Sequence, residues 1–237
     1  MLRVSNRKIN ELRDVELEIN INKYAEGSCL ISMGDTKIIC TATIEDKVPF
    51  FLKGTGRGWL TAEYSMLPRS TATRIQRDSV KPSSRGVEIQ RLIGRSLRAC
   101  LDLNKLHDKQ ILIDCDVIQA DGGTRCASIT GGFIALNLAI KEALKNKKIK
   151  ENPIKFNIAA VSCGVYKNSC ILDLDYEEDS NCDSDVNFVM TENGDIIEVQ
   201  GTAEGQVFSF SKMEEMYSLA KGGIESLVAL QKQVLED

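Results

Sequence analysis

The chain has 237 residues, 43% of them hydrophobic and 27% charged, with a net charge of -4. That is enough apolar material for a substantial core without disulfides or a structural metal, and it excludes disorder as a description of the whole. One compact unit over 1–237, or two similar halves sharing a core, fits this length. The opening MLRVSNRKINELRD carries charges where a secretory signal needs an apolar run. No later stretch reads as the roughly 20 apolar residues of a membrane helix, so a cytoplasmic protein with no membrane partner is expected. The eight cysteines contain no CxxC pair, and His107 is the single histidine, which points to buried free thiols rather than a zinc set or a disulfide framework.

In chain order, alternating apolar residues at Val15, Leu17, Ile19 and Ile21, then Cys29 to Met33 and Lys37 to Thr43, predict short strands of a β-meander broken at Gly27 and at the Gly34-Asp35 turn. From Lys53 to Pro82 the pattern weakens among Gly54, Gly56, Gly58, Pro68 and Pro82, and the segment reads as a long functional loop. Within it, Trp59 and Tyr64 either stack on nucleic-acid bases or anchor the base of the loop. Near Val87 a helical period begins. Ile89, Leu92, Ile93, Leu97, Cys100 and Leu101 share one side, while Glu88, Arg91, Arg95 and Arg98 form a charged face opposite, with Glu88 paired to Arg91 or Arg95 and Arg98 solvated. His107 falls at a surface or helix end. Gln110 to Gln119 reads as a strand whose Asp114 and Asp116 need a partner or a sheet edge.

ADGGTRCASITGG then leads into an apolar helix containing Phe133 to Leu144, with lysines at its C-terminal end. Further strands are predicted at Phe156 to Cys163, Ser169 to Asp175, Val186 to Thr191 and Asp195 to Gln200. A final helix follows over Lys212 to Val234, disturbed at Gly222-Gly223. Asp116 to Arg125 and Ile197 to Glu204 echo one another, each running from a strand through Gln and a Gly-Thr element toward a helix, which suggests two related β-then-α units.

Charge is distributed unevenly. Nine basic residues against three acidic ones lie between Arg57 and Arg98, whereas Asp173 to Glu204 holds eleven acidic residues and no Lys or Arg. An anion-binding segment and a carboxylate-rich one are thus separated in sequence and could meet in the fold. Gly122-Gly123-Thr124-Arg125, between a strand and a helix, has the parts of an oxyanion cradle: close backbone approach, a hydroxyl, a fork of guanidinium donors and a helix N-terminus. A tight structural turn fits the same residues, and the GxxxxGK[ST] pattern of a nucleotide P-loop is not present. Arg85 could close the same pocket from another side. Asp179 and Asp185 could position a divalent cation or hold a proton, although a charged connecting loop fits them too, and Asp183 is a rival of Asp185.

GRGWLTAEYSMLPRST (Gly56 to Thr71), RGVEIQRLIGRSLRA (Arg85 to Ala99), IDCDVIQADGGTRCASITGG (Ile113 to Gly132), LDLDYEEDS (Leu172 to Ser180), DVNFVMT (Asp185 to Thr191) and EVQGTAEG (Glu198 to Gly205) together resemble the ribonuclease PH family over nearly the full length. The resemblance implies an α/β fold of α+β type, like domain 2 of ribosomal protein S5, with duplicated β-α units, mixed sheets and flanking helices. It also implies a phosphate-dependent 3′→5′ exoribonuclease that trims transfer RNA precursors beyond CCA, processes other RNA 3′ ends and releases nucleoside diphosphates reversibly. Inorganic phosphate is the co-substrate, Mg²⁺ the expected ion, and a homo-hexamer built as a trimer of dimers the expected assembly. Under the same resemblance Arg85, Thr124 and Arg125 contact phosphate, and Asp179 and Asp185 are the catalytic pair and the metal ligands. Arg69, Arg74 and Arg77, with Arg57 added, guide RNA along the 53–82 loop. Gly86 and Asp183 depart from the family pattern. The competing readings are a noncatalytic ring subunit, against which intact Arg85, Thr124, Arg125, Asp179 and Asp185 speak, a generic RNA-binding module, which needs the arginines but not the aspartate pair, and a soluble α/β scaffold, which leaves the ordered blocks without an account.

Overall fold

The computed structural model describes residue 3 and residues 5–77, 83–203 and 206–236. Asp78, Lys81, Pro82, Glu204 and Gly205 of the segments above lie outside the described residues. The meander forms as expected: β1 (Val15–Ile19), β2 (Gly27–Met33) and β3 (Thr36–Glu45) pair antiparallel in succession.

The expected loop is interrupted by β4 (Trp59–Met66), a correction with a simple cause. Leu60, Ala62 and Tyr64 are buried while Thr61, Glu63 and Ser65 are not, so the period of two is present and is masked only by the glycines and proline that flank it. α1 (Ser84–Ala99) carries the chain from β4 over to β5 (Gln110–Gln119), and the two strands pair in parallel, the geometry that a helical crossover permits. Ser83 caps α1 by accepting a hydrogen bond from the Gly86 N–H at 3.1 Å. The first sheet runs β1-β2-β3-β5-β4. β5 is an interior strand, so of the two alternatives for Asp114 and Asp116, a partner or a sheet edge, the edge is not realised, and Asp114 accepts from Thr41 Oγ1 at 3.5 Å. Both carboxyls have a raised pKa, from partial desolvation first and the Glu63 charge second.

α2 (Thr124–Lys145) starts at the Gly-Gly-Thr-Arg segment itself and packs against β2 and β3 of the first sheet and β6 (Ile158–Tyr166) of the second. By length and composition α2 could cross a membrane, contrary to expectation, but 72% of its apolar window is buried inside the protein. The second sheet runs β7-β6-β8-β9, with β7 (Ser169–Leu172), β8 (Ser184–Thr191) and β9 (Ile196–Ala203). α4 (Phe210–Glu236) covers it without a break at Gly222-Gly223, because Met216, Ala220, Ile224, Leu227 and Val228 keep one apolar stripe through that point. Each half thus ends in a strand followed by a long helix, β5 to α2 and β9 to α4, and one continuous apolar core joins the two. Two sheets with flanking helices make this a mixed α/β fold.

The acidic run holds one further helix, α3 (Tyr176–Asn181), opened by a capping box in which Asp175 accepts from the Glu178 N–H and Glu178 accepts from the Asp175 N–H. The Asp-x-x-Glu spacing is the signature of that cap.

Candidate active site

Gly122 and Gly123 take φ of +75° and +65°, left-handed values that glycine adopts at no steric cost. Crowding gives a second reason for glycine: a Cβ on Gly122 would lie 2.6 Å from the Leu174 carbonyl oxygen and 2.7 Å from the Asp175 carbonyl carbon. The turn that starts α2 is therefore pressed against the start of α3. This contact joins residues far apart in sequence, and it sets the carboxylate-bearing helix beside the N–H groups at the end of α2.

A cleft of about 1250 Å³ opens there, lined by Arg85 from α1, Thr124 and Arg125 from α2, Asp179 from α3 and Asp185 from β8. All five residues singled out for phosphate and catalysis share it. Asp183 is not among the residues that line it. The positive end of α2, two arginines and two aspartates thus line one space.

The charges are held by specific neighbours. Arg125 has Glu88 at 3.7 Å, so Glu88 turns toward the cleft rather than to Arg91 or Arg95. Arg95 pairs instead with Glu198 of β9. Arg98 is not solvated as expected: its guanidinium donates to the Leu60 carbonyl at 2.9 Å and lies 4.5 Å from the centre of the Trp59 ring, and burial lowers its pKa. Trp59, also edge-packed against Phe51, is an anchor of the segment's base. Tyr64 is buried, and its phenol oxygen lies 2.9 Å from Thr124 Oγ1.

Beneath the cleft lies a buried ionic network with no local signal in the sequence. Arg13 donates its backbone N–H and its guanidinium to Asp173 and reaches the Asp121 carbonyl below the Gly122-Gly123 turn, while Arg3 grips Glu178 and the Leu172 carbonyl. Burial pushes the Asp173 carboxyl up, but the charge and hydrogen bonds of Arg13 more than offset it, so the net shift is downward. Cys126, next to Arg125, donates its thiol to Asn187 Oδ1 on β8 at 3.2 Å; burial pushes that thiol up to about 12, so it remains protonated. All eight cysteines are free, and seven are buried.

Among the described residues no group of three or more His, Cys, Asp or Glu forms a metal cluster. A pair of carboxylates in one open cleft nevertheless fits a hard cation such as Mg²⁺, which keeps waters and shares phosphate oxygens. Thr71, Ala72, Thr73 and Ile75 line the cleft; Arg69, Arg74 and Arg77 lie on or beside the same segment but are not among the lining residues. Arg57 precedes β4, whose last residue, Met66, lines the cleft; Arg57 itself is not among the lining residues. His107 ends a 3-10 turn at Leu103–Leu106, in line with its expected helix-end place.

In fold the chain is similar to rice Rrp46 and to a chain of an archaeal exosome. Rice (Oryza sativa) Rrp46 superposes with a TM-score of 0.81 at 17% identity, covering 98% of this chain and all of the other. A chain of the Archaeoglobus fulgidus exosome, solved with RNA bound to the active site, gives 0.80 at 21% identity, covering 96% and 91%. Closer in sequence are two proteins named Ribonuclease PH. That of Cereibacter sphaeroides strain KD131 is 56% identical over 236 residues, 99% of this chain and 100% of the relative, and that of Roseobacter denitrificans is 54% identical over 98% of each. The model of domain 1 of the 3′ exoribonuclease family matches residues 11–142, and that of domain 2 matches residues 157–223. The chain belongs to the 3′ exoribonuclease family.

Proposed function

We propose that the cleft is where this phosphate-dependent 3′→5′ exoribonuclease, a nucleotidyltransferase by reaction type, brings inorganic phosphate against the last phosphodiester of an RNA strand. Both reactants are anions. Arg85, Thr124, Arg125 and the α2 N-terminus bind the incoming phosphate, neutralise its charge and fix one oxygen in line with the scissile phosphorus. A bond forms from that oxygen to the terminal phosphorus, the bond to the 3′ oxygen of the preceding nucleotide breaks, and a nucleoside diphosphate leaves. The departing oxygen must gain a proton or an equivalent positive charge, which in this reading Asp179 and Asp185 supply. Mg²⁺ held by these two aspartates would draw charge from the phosphate oxygens. Because a phosphoanhydride retains the energy of the broken linkage, the reaction runs in both directions.

Single-stranded RNA would enter past Arg69, Arg74 and Arg77, which contact phosphates without reading bases, and Arg57 would meet RNA only along a path beyond the cleft. We assign transfer RNA precursors, trimmed beyond CCA, as the substrate, a hexamer of three dimers as the working form and the cytosol as its place. Residues 1–237 act in this reading as one catalytic unit, since the site draws on both halves. The observation that carries the proposal is the pressing of Gly122 on Leu174 and Asp175, which puts the cationic and anionic groups in one cleft. Its test is incubation of a defined RNA with and without inorganic phosphate. Nucleoside diphosphates appearing only with phosphate are expected, and nucleoside monophosphates formed with water-derived oxygen would refute it.

A further inference from the structure

Tyr64 occupies the face of β4 that also buries Leu60 and Ala62, and it pairs in register with Cys115 of β5. At 6% exposure its ring cannot meet an RNA base. Its one polar side-chain atom, the phenol oxygen, lies 2.9 Å from Thr124 Oγ1, where either atom could donate. Energetics decide the direction. Were Thr124 the donor, the phenol proton would be left in the interior, with no other acceptor among the described residues. With Tyr64 as donor, both protons are placed: the phenol proton on Thr124 Oγ1, and that of Thr124 free to point into the cleft that Thr124 lines. Burial foremost raises the phenol pKa, so Tyr64 keeps its proton at neutral pH. The charges of Arg85 and Arg125 also bear on the phenol, which places it at the cradle.

We propose that Tyr64 is a positioning residue for the phosphate site: its phenol donates to Thr124 and so turns the Thr124 hydroxyl proton, rather than a lone pair, toward the bound anion. This rests on the reading of Thr124 as a phosphate ligand. A lone pair facing phosphate repels it, whereas a polarised O–H attracts it, and the chain from phenol to hydroxyl to anion strengthens the last link. Removing the phenol oxygen leaves Thr124 to rotate among its staggered positions, only some of which aim the proton correctly.

The test is a double-mutant cycle read as the phosphate KM for nucleoside diphosphate release, with RNA affinity measured separately without phosphate. Tyr64→Phe keeps the ring and is expected to raise the phosphate KM about fivefold to tenfold, the range for one neutral hydrogen bond, with RNA affinity within twofold of the parent. Thr124→Val should raise it at least as much, and adding Tyr64→Phe to Thr124→Val should change it less than twofold. In Thr124→Ser, which keeps the hydroxyl, Tyr64→Phe should again raise the KM. An unchanged KM in Tyr64→Phe beside an impaired Thr124→Val would overturn the role of Tyr64 alone. So would equal effects of Tyr64→Phe in the parent and Thr124→Val backgrounds, or RNA affinity falling in step with the KM. A normal phosphate KM in Thr124→Val would overturn both this inference and the reading of Thr124 beneath it.

Discussion

Arg125 and Glu88 define the balance at the heart of the cleft. The carboxylate at 3.7 Å holds the guanidinium near the α2 N-terminus, and its half-exposed side chain can yield when a phosphate arrives. Arg125→Ala is expected to raise the phosphate KM about 10- to 100-fold, the loss of a charge-assisted bond, while RNA affinity shifts less than threefold. Asp185→Asn keeps the shape of β8, so turnover should fall about 100-fold or more with RNA binding retained, as single-turnover and filter-binding measurements would show. At this scale the sequence was informative about chemistry and poor about direction. Gly-Gly-Thr-Arg and the aspartate pair could be picked out by type, but whether Tyr64 faces RNA or the core depends on a strand whose partners lie some fifty residues away.

Elements were legible where a period ran long. The meander, β5, α1 and the last helix follow from alternation or a 3.6-residue stripe. β4 and α3 were lost because flanking glycines and a run of charge mask short patterns, although the alternation in Trp59–Met66 and the Asp175 cap were there to find. The Arg13–Asp173 pair had no signal, since its members are 160 residues apart. Asp173 is 1% exposed, and Asp173→Asn leaves the buried Arg13 without its counter-charge. Urea unfolding should show a loss of about 3–5 kcal/mol. The pH dependence follows from the depressed carboxyls of Asp173 and Glu178. Their stabilisation is complete above the unfolded values of about 3.9 and 4.3 and is lost as pH falls through the lower folded values. The parent should therefore lose stability on acidification below about pH 4, and Asp173→Asn should lose less over the same interval.

The whole molecule places its two charge classes in different halves and joins them at one turn. α1 and α2 carry the cationic groups, α3 and β8 the carboxylates, and neither half holds a complete site. The faint repeat between Asp116–Arg125 and Ile197–Glu204 suggested only two related β-then-α units, whereas the uneven charge suggested that a basic and an acidic segment could meet; β5 leads into Thr124, and Gly201 and Thr202 of β9 line the same cleft. What no local pattern could reveal is the contact of Gly122 with the start of α3, on which the assembly of the site depends. The most direct test supplies radiolabelled inorganic phosphate with a defined RNA and follows the label into released nucleotide for the parent and Arg125→Ala. The account predicts label in the terminal phosphate of nucleoside diphosphates, with saturation moved to higher phosphate in Arg125→Ala while RNA affinity holds. Unlabelled monophosphates, or identical phosphate saturation in the two proteins, would contradict it.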